Sequence, residues 1–462
     1  MKRTRKIVTA VLSAALAVSM LAGCGGTSSS SVPAEENSSG TDAQAATGEI
    51  DKSMKADIVV GGWPSGDDAF KAAMSGFNAE YPNINVELQF TDTTAHHQNL
   101  QTSLAAGSGA PDVAMVEGAY VAQYRNSSAL TDLNTMGAKD FQEDFVSFKW
   151  DQCVSDDGSS MRLIPWDIGP ATMFYRTDIF EKAGLPTEPD EVDKLLSTWD
   201  GVLSAAETVK DKTGAWFVPD ASYFYQLLFQ NRDFYDQDLN LQLERDGDID
   251  CLNMIIKMRS AGLDMNVDMW STEAYAAYAE GTIATVSSGA WFGGFLKTDI
   301  DPNGAGHWAV ANLPAGIGVK NWGGSFLTIP EQSQNKEAAW AFIQYMLATR
   351  EGQNAMFEAV DYFPAYIPAY DDPIYQQEDP YFGGQKTKAL WASLAEKLEP
   401  VYTTQMDTTA EGQIFTSVNQ GLEQGLDAEG IRSLLASNIE TAAKEIKEQQ
   451  IQTLKDAGVW NK

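Results

Sequence analysis

Histidine and cysteine are nearly missing: the 462-residue chain holds three of each. His96, His97 and His307, with Cys24, Cys153 and Cys251, leave little from which to assemble a zinc site or a Ser–His–Asp triad. The sequence has no G-x-x-x-x-G-K loop ending in Ser or Thr, no G-x-S-x-G elbow and no H-E-x-x-H helix, so phosphate-loop, serine-hydrolase and zinc-protease chemistry have no foothold. "DQDLN" at 236–240 opens like a calcium loop, but Leu241 and Gly247 stand where that loop needs Gly and Glu, and the stretch reads as a hairpin turn. No metal and no cofactor are expected. Basic residues are scarce too, 32 Lys and Arg against 64 Asp and Glu, a net charge of −32. Nucleic acid, which is bound by clustered cations that displace counterions, is excluded as a partner, and an anionic lipid surface would repel the chain. Long hydrophobic runs are limited to one, Ile7–Ala22, shorter than the ~20 residues a membrane-spanning helix needs. No fixed-period repeat is present, which argues against a solenoid.

That one run follows Lys2, Arg3, Arg5 and Lys6, the order of an export signal. It ends in Leu21-Ala22-Gly23-Cys24, which resembles the lipobox of bacterial lipoproteins. The resemblance implies removal of residues 1–23 and acylation of Cys24 on sulfur, the alternative being an ordinary signal cut near a cysteine. Membrane attachment is then expected through the lipid alone. Residues 24–52 are Gly, Ser, Thr, Ala and acids with little to bury, as in a flexible tether. Beyond it, a chain 44% apolar and 10% aromatic is long enough for two domains with their own cores. Export permits a Cys153–Cys251 disulfide, although two cysteines so far apart more often sit separately in a core.

Periodicity gives the fold class. Ile58-Val59-Val60 reads as a buried strand, Phe70, Ala73, Met74 and Phe77 as a helix, and "INVELQF" at 84–90 as a strand with one wet face. A helix around Leu100 and Leu104 and a strand at 113–116 complete a parallel α/β pattern. Ligands of such sheets sit beyond the strand C-termini, here the loops 61–68, 91–95 and 117–120. Further strand-to-helix passages follow at 173–185 and in "GGSFLTIP" with "EAAWAFIQYML". The last 35 residues put Ile431, Leu434, Leu435, Ile439, Ala442 and Ile446 on one helical face.

Five stretches, in order, resemble the family 1 extracellular solute-binding proteins: "GAPDVAMV" (109–116), "FYRTDIFEKAGL" (174–185), "EGTIATVSSGAW" (280–291), "WGGSFLTIP" (322–330) and "SQNKEAAWAFIQYML" (333–347). A Pro-rich "PPTW" is loosened here to "LPTEPDEVDKLLSTW", which implies a small insertion. The resemblance implies a two-lobe periplasmic-binding-protein-like fold (type II), each lobe a mainly parallel sheet flanked by helices. Lobe I is expected from 53–168 and 326–365, and lobe II from 169–325 and 366–462. The chain would cross between them near 166–172, 323–328 and 362–370. A monomeric, non-enzymatic receptor of an ABC importer is implied, closing on a sugar and handing it to membrane permease subunits.

A sugar presents an apolar C–H face and a rim of hydroxyls, so its site needs aromatic faces and carboxylates, amides or Arg. Trp63, between Gly62 and Pro64, serves equally as platform or packing plug. Trp291 ends the "SSGAW" strand, where the resemblance places a stacking aromatic. Trp166 and Trp322 open the first two crossing segments, with hinge packing as their alternative role. Trp199 and Trp340 lie in or beside helical patterns and read as core. For the rim, Glu117 follows the third strand, Asp167 adjoins Trp166, and Asp67 lies in the first loop; any of them also reads as a solvated acid. Tyr120, Tyr223 and Tyr402 are further aromatic candidates. Where some relatives carry a cleft Glu after the first crossing, this chain has Gly169, so its ligand contacts differ. A glycoside hydrolase, or a surface carbohydrate sensor, is the alternative; no acid pair stands out from the acidic background to support the enzyme.

Overall fold

The apolar run at 58–60 does become an interior strand of a sheet, with Ile58 and Val60 buried on one face and Val59 half-buried on the other. The computed structural model describes residues 50–245 and 247–456. The expected leader, Cys24 and all but the last residues of the tether lie outside the described residues. In chain order the strands are β1 (Ala56–Gly62), β2 (Ile84–Phe90), β3 (Val113–Glu117), β4 (Ile164–Pro165), β5 (Asp167–Ile168), β6 (Ala171–Arg176), β7 (Thr285–Gly289), β8 (Trp308–Ala311), β9 (Ser325–Thr328) and β10 (Phe363–Pro364).

The first sheet runs β2-β1-β3-β9-β4. β1 pairs in parallel with β2 from Ala56↔Ile84 to Gly62↔Phe90 and with β3 at Val60↔Val113, as the sequence pattern requires. Parallel neighbours need crossover helices, supplied by α1 (Pro64–Glu80) and α2 (Thr93–Ala106). Pro64 opens α1 where its missing N–H costs nothing, and the Asp92 side chain caps α2 by accepting the Thr94 and Ala95 N–H groups. β9 and β4 then join antiparallel. The helix Lys336–Leu347 covers this sheet, with Phe342 edge-on to Phe70 and Phe77 at 5.4 Å from each. Trp340 is buried there as read, and Trp199 packs edge-on against Phe224 at 5.7 Å.

The second sheet, β7-β6-β8, departs from the mainly parallel sheet expected for it: β6 is antiparallel to both neighbours. The reason lies in the connections. β6 starts at the crossing and leads away from it, whereas β7 must return to deliver Trp291, and Ala171 therefore pairs with Gly289. Among the described residues, parallel character survives there only as the isolated bridges Trp216↔Ile283 and Val218↔Asp264. Helices Tyr223–Phe229, Asp248–Ser260, Asp407–Glu423 and Ala428–Ala442 pack against one another. The last buries Ile431, Leu435 and Ile439, while Ala442 is exposed.

The three segments expected to cross are bonded to one another. Trp166 N–H donates to Ser325 O (2.9 Å), Ala365 N–H to Trp166 O (2.9 Å) and Trp322 N–H to Gly169 O (2.8 Å), while β5 pairs with β10. Cys153 and Cys251 are separate buried thiols. The 236–240 stretch is a turn: Asp236 accepts the Asp238 and Asn240 N–H groups, and Tyr235 bridges Leu241. Among the described residues no helix is long and apolar enough to cross a membrane.

Candidate functional site

β3 delivers Glu117 to the sheet's C-terminal edge, the position where α/β folds hold ligands. Its anchoring depends on a histidine. His97 Nε2 accepts the Glu117 N–H (3.1 Å), so the ring proton sits on Nδ1 and is donated to Thr93 O (2.8 Å). Burial holds His97 neutral, with its pKa down at about 4. The ring lies between Tyr120, stacked at 3.9 Å, and Trp63, stacked at 5.7 Å. Trp63 and Tyr120 thus clamp the residue that positions Glu117. The Glu117 carboxylate also accepts the Ala119 N–H at 2.9 Å.

From the second sheet, the turn after β7 presents Trp291. Its indole N–H donates to Trp322 O (2.9 Å), and the two rings meet edge to face at 6.5 Å. Gly169 makes this possible: a Cβ there would lie 2.0 Å from Trp322 O and 2.8 Å from Trp291 Nε1. The acid that some relatives carry in this region has no room at this position.

Glu117, Trp291 and Trp322 line a cavity of about 520 Å³ with the helix Asp407–Glu423, whose Asp407, Glu411 and Phe415 face it. Gln226, Gln230, Asn321 and Arg232 complete much of the rim. Glu411 accepts from Gln230 Nε2 at 2.6 Å and Gln226 Nε2 at 3.5 Å; Asp407 accepts from the Thr404 hydroxyl at 2.6 Å and from its N–H at 3.1 Å. Burial pushes Glu117 up to about 7, with the Glu411 charge adding to the effect and Lys149 opposing it. Burial also raises Asp407 to about 7 and raises Glu411. The wall is closed by Thr408, whose hydroxyl donates to Ala119 O, and by Arg125, which donates to the Thr403 hydroxyl and carbonyl at 2.7 Å each. Two indoles and a phenyl ring face a rim of carboxylates and amides.

The other expected residues lie elsewhere. Trp166 is fully buried at the crossing, stacked on Phe70 at 5.0 Å. Asp167 is buried beside it and accepts the Ser325 N–H at 2.7 Å; burial raises it to about 6 against the opposing charge of Lys149. Both hold crossing segments together rather than lining the cavity. Asp67 pairs with Lys71 one turn along α1. Tyr223 stands behind the wall, 5.1 Å from Phe415 and 6.4 Å from Trp322, with its hydroxyl on Asp268. Tyr402 is exposed. The sequence reading missed His97 and the face of Asp407, Glu411 and Phe415, although their i, i+4, i+8 spacing puts two acids and an aromatic on one helical stripe. Among the described residues no three His, Cys, Asp or Glu side chains are grouped to hold a metal.

The arabinooligosaccharide-binding protein of Halalkalibacterium halodurans is 25% identical over 372 residues, 76% of this chain and 81% of that one. A crystal structure of an extracellular solute-binding protein family 1 member superposes with a TM-score of 0.73 at 24% identity, covering 84% of this chain and all of the other. An ABC transporter-associated binding protein from B. animalis subsp. lactis, solved with β-1,6-galactobiose, gives a TM-score of 0.67 at 25% identity, covering 85% and 98%. The family model of the bacterial extracellular solute-binding proteins matches residues 63–353, from Trp63 ahead of α1, through β2 to β9, to Gln353 beyond β9. With that continuous match on a two-lobed α/β body, the chain belongs to the bacterial extracellular solute-binding proteins.

Proposed function

We propose that the protein captures a sugar or short oligosaccharide in the cavity between its two sheets and delivers it to the permease of an ABC importer, without catalysing a reaction on it. The observation that carries this reading is the pairing of Trp291 and Trp322 with a rim of Glu117, Asp407, Glu411 and side-chain amides around one 520 Å³ space. Indole faces match the C–H face of a sugar ring, and the carboxylates and amides match its hydroxyls. The relatives named for arabinooligosaccharide and solved with β-1,6-galactobiose support the ligand class. Closure is hinge motion of lobe I (53–168, 326–365) against lobe II (169–325, 366–462) about the bonded crossing segments. Acylated Cys24 and the tether keep this body on the extracytoplasmic side of the cell membrane, so a loaded receptor stays near its permease.

Titration of the mature protein with a carbohydrate library, followed by tryptophan fluorescence, tests the reading. A saturable response from at least one sugar is expected. No response across the library overturns the ligand class, and release of shorter sugars during the titration overturns the non-enzymatic role in favour of a glycoside hydrolase.

A further inference from the structure

Trp270 is 40% exposed, one of three large hydrophobic side chains left so open among the described residues. Leaving an indole in water forfeits about 25 cal/mol for every Å² that burial would remove from it. The ring is nevertheless held in place. It stacks on Trp291 at 5.7 Å with the planes 19° apart and meets Phe292 edge-on at 5.9 Å. Its backbone N–H donates to Asp268 Oδ1 at 2.8 Å. The same oxygen accepts the Tyr223 hydroxyl at 3.0 Å, and the Tyr223 ring packs against Phe415 and Trp322 of the cavity wall. Trp270 is therefore tied to the rim of the cavity twice, through Trp291 and through the Asp268–Tyr223 bridge.

We propose that Trp270 is a sugar-stacking platform just outside the cavity, so that the protein takes oligosaccharides whose chain runs out of the cavity across the Trp291–Trp270 pair. The inference rests on the carbohydrate reading of the cavity and adds a chain-length preference to it. One face of the indole is engaged by Trp291, and the ring's remaining exposure leaves apolar surface on which a sugar ring can stack. Its surroundings suit hydroxyls: Asn266, Asp268, Thr272 and Glu273 are all exposed around it. A stable protein partner would need ~800 Å² of covered surface on this side. A single indole among polar residues is a poor start for that and a good match to a ring with an apolar face and a polar rim.

The test is calorimetric titration of the mature wild type, Trp270→Ala and Trp270→Phe with arabinooligosaccharides and β-1,6-linked galactooligosaccharides of one to five units. Trp270→Ala should weaken the longest sugar that binds by about tenfold, as loss of one stacking platform does, and the shortest by less than about twofold. Trp270→Phe should recover most of the loss. Equal weakening at every length overturns the proposal by showing that Trp270 only supports Trp291. Unchanged affinity at every length also overturns it, and if uptake by cells falls in that case the indole serves the permease. Should no sugar bind even the wild type, the carbohydrate reading fails first and this inference with it.

Discussion

The indole nitrogen of Trp291 and the carbonyl oxygen of Trp322 are 2.9 Å apart, and this one bond joins the turn after β7 to the segment that leads into β9. Both rings line the cavity, so the bond fixes their mutual angle before any ligand arrives. Preorganised aromatic faces lose little entropy on binding. Trp291→Ala removes both a stacking face and this bond, and should weaken the bound sugar by on the order of 1 to 3 kcal/mol, by analogy with stacked bases on aromatic platforms. Titration calorimetry decides; an affinity equal to wild type returns Trp291 to a packing role.

Gly169 is the spatial condition for that bond. A methyl group at 169 would sit 2.0 Å from the Trp322 carbonyl oxygen, a backbone atom that cannot rotate away because Trp322 N–H is itself bonded to Gly169 O. Gly169→Ala should therefore force the two crossing segments apart, costing about 1 to 3 kcal/mol of stability as overpacking does. Denaturant unfolding reads the cost, and sugar titration should show weaker binding in parallel. Wild-type stability with wild-type affinity would mean that the segments separate freely.

Attachment is expected to depend on one sulfur. Two or more membrane signals are normally needed for firm anchoring, and an acidic surface supplies none of them electrostatically. Cys24→Ala should move the protein from the membrane fraction into the medium or periplasm, as shown by fractionation and immunoblotting. Retention in the membrane fraction removes Cys24 as the anchor.

Much of the first sheet was legible because its signals are local. Ile58–Val60, the alternation at 84–90 and the helical spacing of Phe70 to Phe77 each specify an element without reference to distant residues. The second sheet was misread in strand sense, since the direction of β6 against β7 is set by a connection of more than a hundred residues and by the need to bring Trp291 back to the crossing. At the site, Glu117, Trp291 and Trp322 stand at strand ends or crossing segments, where loops carry function. Trp166 and Asp167 share that position; as neighbours in an extended segment they point to opposite sides, and both sides are packed, Trp166 on Phe70 and Asp167 on the Ser325 N–H. Asp407, Glu411 and Phe415 come from a helix far along the chain whose approach to β3 no local pattern announces.

The acids around the cavity make stability depend on pH. Glu117 titrates near 4.5 in the unfolded chain and near 7 in the fold, chiefly because burial disfavours its charge, with Glu411 and Asp167 adding repulsion and Lys149 partly offsetting it. A raised carboxyl favours the fold fully below the unfolded value, and that contribution is lost as pH rises through about 7. Above this range the wild type carries a poorly solvated negative charge, which the hydrogen bond from the Ala119 N–H only partly compensates. Glu117→Gln keeps an oxygen to accept that N–H and has no charge to bury. The variant should match the wild type near pH 4.5 and exceed it at pH 8 by on the order of 1 to 3 kcal/mol. Asp407 and Glu411 titrate in both proteins, so their effects cancel in the difference except for the repulsion between Glu411 and Glu117, which counts toward the gain. Thermal unfolding of the two proteins across this interval measures it. A stability difference that is flat with pH would show that Glu117 ionises in the fold as easily as it does in water.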